Sequence, residues 1–87
     1  MAYLHIGMNV MVDPRRVIGI FDLDNTSTSK HTRRFLDGAE KEGVVQSACE
    51  DIPKSFVVCD HPYHRQIVYL TQLSPAALQR RAERGEL

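Results

Sequence analysis

The sequence has no excess of charge of either sign: 11 lysines and arginines stand against 11 aspartates and glutamates. Bulk charge therefore supplies no argument for nucleic acid or a membrane surface, although a neutral chain can still gather its cations on one face. Cysteine is scarce, with only Cys49 and Cys59. Small secreted domains usually carry a denser, even framework, so these two fit a reducing cytosol. No apolar run approaches the roughly 18 residues of a membrane span. The start, Met1 to Gly7, lacks the basic region and the apolar core of a signal peptide. Repeats, low-complexity tracts and interdomain linkers are also missing. The expectation is a soluble, cytoplasmic single domain covering residues 1–87. A chain of this size buries only about 60–65% of its unfolded surface, so further burial must come from a partner or from copies of itself.

What is present is a series of short elements punctuated by turn residues. Tyr3 to Ile6 reads as a strand stopped by Gly7, and Asn9 to Val12 as a second, closed by Asp13-Pro14. Arg16 to Phe21 is the clearest strand, because Val17, Ile18, Ile20 and Phe21 favour the extended pleat. Gly19 within it marks a bulge or a close backbone approach. Asp24 to Ser29 is a polar turn. A helix follows from Lys30 to Glu42, with Phe35, Leu36 and Ala39 inward and Gly43 at its C-terminal end. Val44 to Ala48 and Ser55 to Cys59 read as strands joined through Glu50-Asp51-Ile52-Pro53, and Gln66 to Leu70 as another. Ser74 and Pro75 open a final helix as N-cap and first residue. Leu73 and Leu78 have the spacing of a hydrophobic staple.

The order β-β-β-α-β-β-β-α makes this an α+β domain with a mostly antiparallel sheet and two helices. Val17-Ile18, Ile20-Phe21, Phe56-Val57-Val58 and Ile67-Val68 do not alternate apolar with polar, as strands buried on both faces do not. Two helices are too few to cover both faces. Other subunits would supply the missing cover, which predicts a homo-oligomer.

Two constellations suggest chemistry. Ile20-Phe21-Asp22-Leu23-Asp24-Asn25-Thr26 is similar to the first motif of the haloacid-dehalogenase phosphatases, in which Asp22 would be the nucleophile and Asp24 the general acid/base. The remaining motifs come in the wrong order, and the chain is too short for a doubly wound parallel sheet. The stretch is read instead as a strand end with turn chemistry, and the protein as not an enzyme. Cys49, Cys59, His61 and His64 lack the tight pairing of a zinc site. They are read as small buried thiols and loop histidines, with neither metal nor other cofactor expected. His5 is read as a hydrogen-bonded structural histidine. Among the cations, Arg15 and Arg16 stand out from Lys30, Arg33, Arg34, Arg80, Arg81 and Arg84, because a turn just before a buried strand holds them rigidly. Repeated round an oligomer, such a pair would form a track for phosphates.

Tyr3 to Gly7, Val17 to Asp22, Pro53 to Val58 and Leu73 to Ala82 together resemble, in order and spacing, the RemA/RemB family of extracellular-matrix regulators, its RemB-type members most. The resemblance runs from Tyr3 to Ala82. It implies a small α+β domain that assembles into a closed ring and binds double-stranded DNA through arginines, so as to regulate matrix (biofilm) genes. One of the family's DNA-contacting arginines falls on Arg16, with Arg15 beside it and Lys54 assisting. The chain departs from RemA-type members at Ile52 and Pro53, where they carry an arginine pair in a hairpin. Glu50 and Asp51 precede this position and repel phosphate, which favours an alternative: a protein-interaction or assembly module without DNA affinity.

Overall fold

The computed structural model describes residues 3–23 and 29–84. The polar turn anticipated from Asp24 to Ser29 lies largely outside them, as do Asp24, Asn25 and Thr26 of the phosphatase-like stretch. The elements in order are β1 (Leu4–Gly7), β2 (Val10–Val12), a short 3₁₀ turn (Pro14–Arg16), β3 (Val17–Asp22), α1 (Lys30–Lys41), β4 (Val45–Ser47), β5 (Ser55–Cys59), β6 (Ile67–Thr71) and α2 (Pro75–Arg84).

Local chemistry sets most of these boundaries. β1 turns into β2 through Met8 and Asn9, both at positive φ (46° and 62°), the signature of a tight type I′ hairpin. Gly7 precedes the turn, and a Cβ there would come within 2.4 Å of the Ala48 carbonyl oxygen. Ser29 caps α1, its hydroxyl accepting from the Thr32 N–H. At the other end Gly43 takes φ +75°. The Val44 and Gly43 N–H groups then reach back to the carbonyls of Ala39 and Glu40 (3.0 Å each), closing a Schellman motif. Ser74 caps α2 by accepting from the Ala77 N–H at 3.1 Å. Leu73 and Leu78 join the same apolar cluster, as a staple requires.

The six strands form two sheets. β1 and β2 make an antiparallel hairpin, and the other four run in the order β3-β5-β6-β4. β5 pairs antiparallel with β3 and β6, while β4 pairs parallel with β6. The Glu50-Asp51-Ile52-Pro53 connection is thus not a hairpin loop: it crosses over the end of β6, carrying the chain from one sheet edge to an inner position.

β5 and β6 are the strands buried on both faces, and their cover comes from the same chain. On one face α1 packs through Phe35, Leu36 and Ala39 against Phe56, Val58, Ile67 and Val68. On the other, the β1–β2 hairpin and α2 bring Leu4, Ile6, Val12 and Leu78 onto Val57 and Cys59. All five residues of β5 are buried. For these strands the expectation that other subunits must supply the missing layer is corrected. The expectation of two-faced burial is corrected for β3, an edge strand with no fully buried residue. The first two strands do not extend the sheet; they fold over it as a third covering element beside the two helices.

Buried hydroxyls fasten the hairpin and α2 to the sheet. Thr71, fully buried, donates to the Ile6 carbonyl at 2.6 Å and accepts from the Leu73 N–H at 3.1 Å. Ser55 donates to the Leu73 carbonyl. Arg81 on α2 donates to the His5 carbonyl at 3.0 Å, with its guanidinium 3.4 Å from His5 Nδ1. A guanidinium can only donate, so Nδ1 is the acceptor and the ring proton sits on Nε2. His5 is thereby a hydrogen-bonded partner of α2, and Arg81 a tether rather than a solvated cation.

Candidate nucleic-acid interface

The register of the sheet separates two ends of the molecule. At one, Val17 faces Cys59 and Cys59 faces Ile67. At the other, Asp22 faces Ser55 and Ser55 faces Thr71. Arg15 and Arg16 lead into the first end, and Lys54 leads into the second. The length of β5 lies between them, about 17 Å at 3.4 Å per residue. Within one chain, Lys54 does not join the two arginines.

Arg15 and Arg16 stand on the 3₁₀ turn. Pro14 fixes its first φ, and Asp13 caps it by accepting from the Arg15 N–H at 2.9 Å. The same carboxylate takes two further hydrogen bonds from the Arg15 guanidinium, at 3.2 and 3.0 Å. These bonds hold the Asp13 carboxyl below its ordinary pKa and push Arg15 up from an already high one. A lowered carboxylate pKa contributes stability above the unfolded-state value, which is lost as pH falls through the folded value. At neutral pH the turn is thus held closed by charge, with the Arg15 guanidinium committed to Asp13.

Arg16 is held more loosely. Its guanidinium lies 3.6 Å from an Asp60 carboxylate oxygen, and the two side chains are 52% and 56% exposed. Its backbone, by contrast, is pinned: its carbonyl accepts from the Asp60 N–H at 2.9 Å, and its N–H donates to the Asp13 carbonyl at 2.9 Å. An exposed pair of this kind contributes about 0–1 kcal/mol. Exchanging Asp60 for a phosphate costs little. An open hollow of about 370 Å³ lined by Asp13, Arg15, Arg16 and Asp60 lies in front of the pair.

The same end carries a segment that the sequence alone marks only as holding loop histidines. Residues 60–66 connect β5 to β6, and they bring His61, Tyr63, His64 and Arg65 to the Arg16 end. The His61 and His64 rings are 5.0 Å apart, and Tyr63 is 87% exposed. A signal existed in the run of histidine, tyrosine and arginine within an irregular segment. Only the β3–β5 register reveals that it borders Arg16.

The acidic segment lies elsewhere. Ser47 faces Leu70 and the Ala48 N–H donates to the Leu70 carbonyl, so Cys49, Glu50 and Asp51 follow at the Lys54 end. Their separation from Arg16 exceeds the Debye length of about 8–10 Å at physiological salt. Within one subunit they do not oppose phosphate at Arg16.

The same geometry bears on the phosphatase-like stretch. Asp22 ends β3, an edge strand antiparallel to its neighbour, whereas that motif belongs to a doubly wound parallel sheet. Asp60, the acidic residue just past β5, sits at the opposite end of the β3–β5 ladder from Asp22. Cys49 and Cys59 are likewise at opposite ends, both free and buried. Burial pushes the Cys59 thiol up to about 11, with the Asp60 charge a smaller cause, so it is protonated at neutral pH. Among the described residues, no group of three or more histidine, cysteine or acidic side chains could hold a metal ion. No helix among them is long and apolar enough to cross a membrane.

Comparison with known proteins agrees with this architecture. Residues 3–82 match the family described as RemA-like, extracellular matrix regulatory protein A-like. The chain is also 35% identical over 81 residues to extracellular matrix regulatory protein B of Bacillus subtilis (strain 168), covering 93% of this chain and 90% of that protein. A match of this extent, on both counts, places the chain in the RemA-like family of extracellular matrix regulatory proteins.

Proposed function

We propose that this protein is a DNA-binding transcriptional regulator of extracellular-matrix genes, acting in the cytoplasm as a homo-oligomer. The observation that carries the reading is Arg16: a half-exposed guanidinium on a backbone fixed by two hydrogen bonds, with one weakly held competitor. Such a side chain meets a phosphate without first being ordered. Arg15 adds its charge beside it, shared with Asp13. Lys54 contributes only where a neighbouring subunit brings its end of the sheet to the same DNA.

Self-association has its own support. β3 is an edge strand of six residues, and it carries Ile18 at 62% and Phe21 at 42% exposure. An edge with apolar side chains and unpaired backbone groups is a ready template for another chain. Copies arranged by a closing heterologous contact form a ring, and a ring repeats Arg16 along the DNA.

The test is fluorescence anisotropy of a labelled duplex titrated with protein over a salt series. Wild type should bind with a steep inverse dependence on salt. Arg16→Ala should weaken binding about ten-fold or more and flatten the slope by about 0.9 for each phosphate no longer neutralised. Unchanged binding in Arg16→Ala would remove it from the interface. One observation favours a second reading, a protein-interaction module without DNA affinity. Ile52 is 82% exposed between the acidic pair and Pro53, and a partner protein would cover it. Duplex binding absent even at low salt would select that reading.

A further inference from the structure

The segment from Asp60 to Gln66 sits where a second set of phosphate contacts would have to be. It is rooted on Arg16 itself, because the Asp60 N–H donates to the Arg16 carbonyl. Val17, Cys59 and Ile67 lie side by side beneath it. Beside the hollow in front of Arg16, a second recess is lined by Met11, Asp13, Arg16, Asp60, His61 and Tyr69, among others. His61 thus faces the same space as the arginine. His64 packs beside it with ring centroids 5.0 Å apart, and the Tyr63 ring lies 5.8 Å from His61. Residues 62–65 are all exposed.

We propose that this loop is the second half of the DNA-binding surface, with His61, His64 and Arg65 contacting the phosphate backbone beside Arg16. The inference rests on the DNA-binding reading above and adds to it the residues.

The surroundings suit an anion. Arg15, Arg16 and Arg65 stand at this end, and Arg81 of α2 is held nearby on His5. Asp13 is engaged by Arg15, which leaves Asp60 as the competitor at Arg16. Lys41 and Glu42 precede β4 at the far sheet edge, three strand spacings or about 14 Å away.

The hydrogen bonding fixes which His61 nitrogen is available. His61 Nδ1 accepts from the Tyr63 N–H at 3.1 Å. A ring that accepts there carries its proton on Nε2, and that N–H is the one left to meet a phosphate oxygen. Tyr63 supplies an exposed ring face at the same place.

The experiment titrates a labelled duplex by anisotropy at low, constant ionic strength. It compares wild type, the double variant His61→Gln/His64→Gln, Arg65→Gln and Arg16→Ala. Circular dichroism melts confirm that each is folded, which exposed loop positions allow. The double variant should bind about three- to ten-fold more weakly than wild type, and Arg65→Gln about three-fold, as removal of exposed phosphate contacts does. If the double variant and Arg65→Gln both bind as wild type does while Arg16→Ala still weakens binding, the loop is not part of the surface, although the DNA-binding reading stands. If wild type binds no duplex at low salt, that reading fails and takes this inference with it.

Discussion

The two ends of the four-stranded sheet are built on opposite plans. At the Lys54 end, buried hydroxyls of Thr71 and Ser55 tie the hairpin and α2 to β5 and β6, and the Ala48 and Lys54 N–H groups donate to β6 carbonyls. The acidic crossover and Lys54 lie there too, as does the start of α1 with exposed Lys30 and Arg34. At the Arg16 end the connections are open. A proline-fixed turn and a histidine-rich loop present guanidinium and imidazole groups around an open hollow, with the Arg16 tip only lightly paired. One end ties the layers together and the other leaves its connections open. Stability and recognition can share an 87-residue chain because they occupy different ends of the same strands.

That division can be broken from the closed end first. Thr71→Val keeps the shape of the side chain but strands the Ile6 carbonyl and the Leu73 N–H in the interior, each deprived of its partner. The expected loss is about 2–3 kcal/mol, since a buried unpaired group costs about 1–3 kcal/mol. It should appear in a urea melt, with the folded fraction still binding duplex as wild type does. A variant that instead kept its stability and lost DNA affinity would reverse the roles assigned to the two ends.

A smaller effect lies at the hairpin turn, also on the closed side. Met8 takes φ 46°, a left-handed conformation that costs a side chain about 1–2 kcal/mol. Met8→Gly relieves it and returns part of the gain as chain entropy, for a net stabilisation of about 0.5–1 kcal/mol. A rise in urea midpoint at unchanged slope is the expected result. A fall would mean that Met8, exposed in the monomer, gains its burial against another copy.

The smallest effect expected is at the acidic crossover. Within one subunit Glu50 and Asp51 lie beyond screening distance from Arg16, so Glu50→Lys/Asp51→Lys should change duplex affinity less than about two-fold at physiological salt. Tightening by about ten-fold would show that subunits juxtapose the two ends along the DNA, and Lys54 would then rejoin the interface by way of a neighbour.

Much of this was readable along the chain. Ser74, Pro75 and the Leu73/Leu78 pair marked the start of α2 to the residue, and Gly43 marked the end of α1, because a cap is satisfied within a few residues of itself. Gly19 signalled both of its consequences. The β3 register shifts between Val17 and Gly19, and the Phe21 ring lies so close that a Cβ on Gly19 would meet it at 2.7 Å. Arg16 stood out by its position on a turn before a strand; that strand is a half-exposed edge rather than a buried one, yet Arg16 has a pinned backbone and an exposed tip. The grouping of Lys54 with it was not legible, nor was the partnership of Arg16 with His61, because both depend on which strand lies beside which.

The same boundary divides the whole molecule. Composition, capping residues and turn chemistry were enough to establish the α+β class, the order of the elements and the turn that carries Arg15 and Arg16, since those signals act between near neighbours. Strand pairing and layer order came from contacts that no local signal encodes. The Thr71 hydroxyl meets the Ile6 carbonyl 65 residues away in the chain, and bonds of that span draw the hairpin over the sheet, make β4 parallel to β6 and send the acidic crossover to the end opposite Arg16. An apolar strand advertises that both its faces are covered. What covers them is decided by whichever distant surface packs best, here the chain's own hairpin and helices.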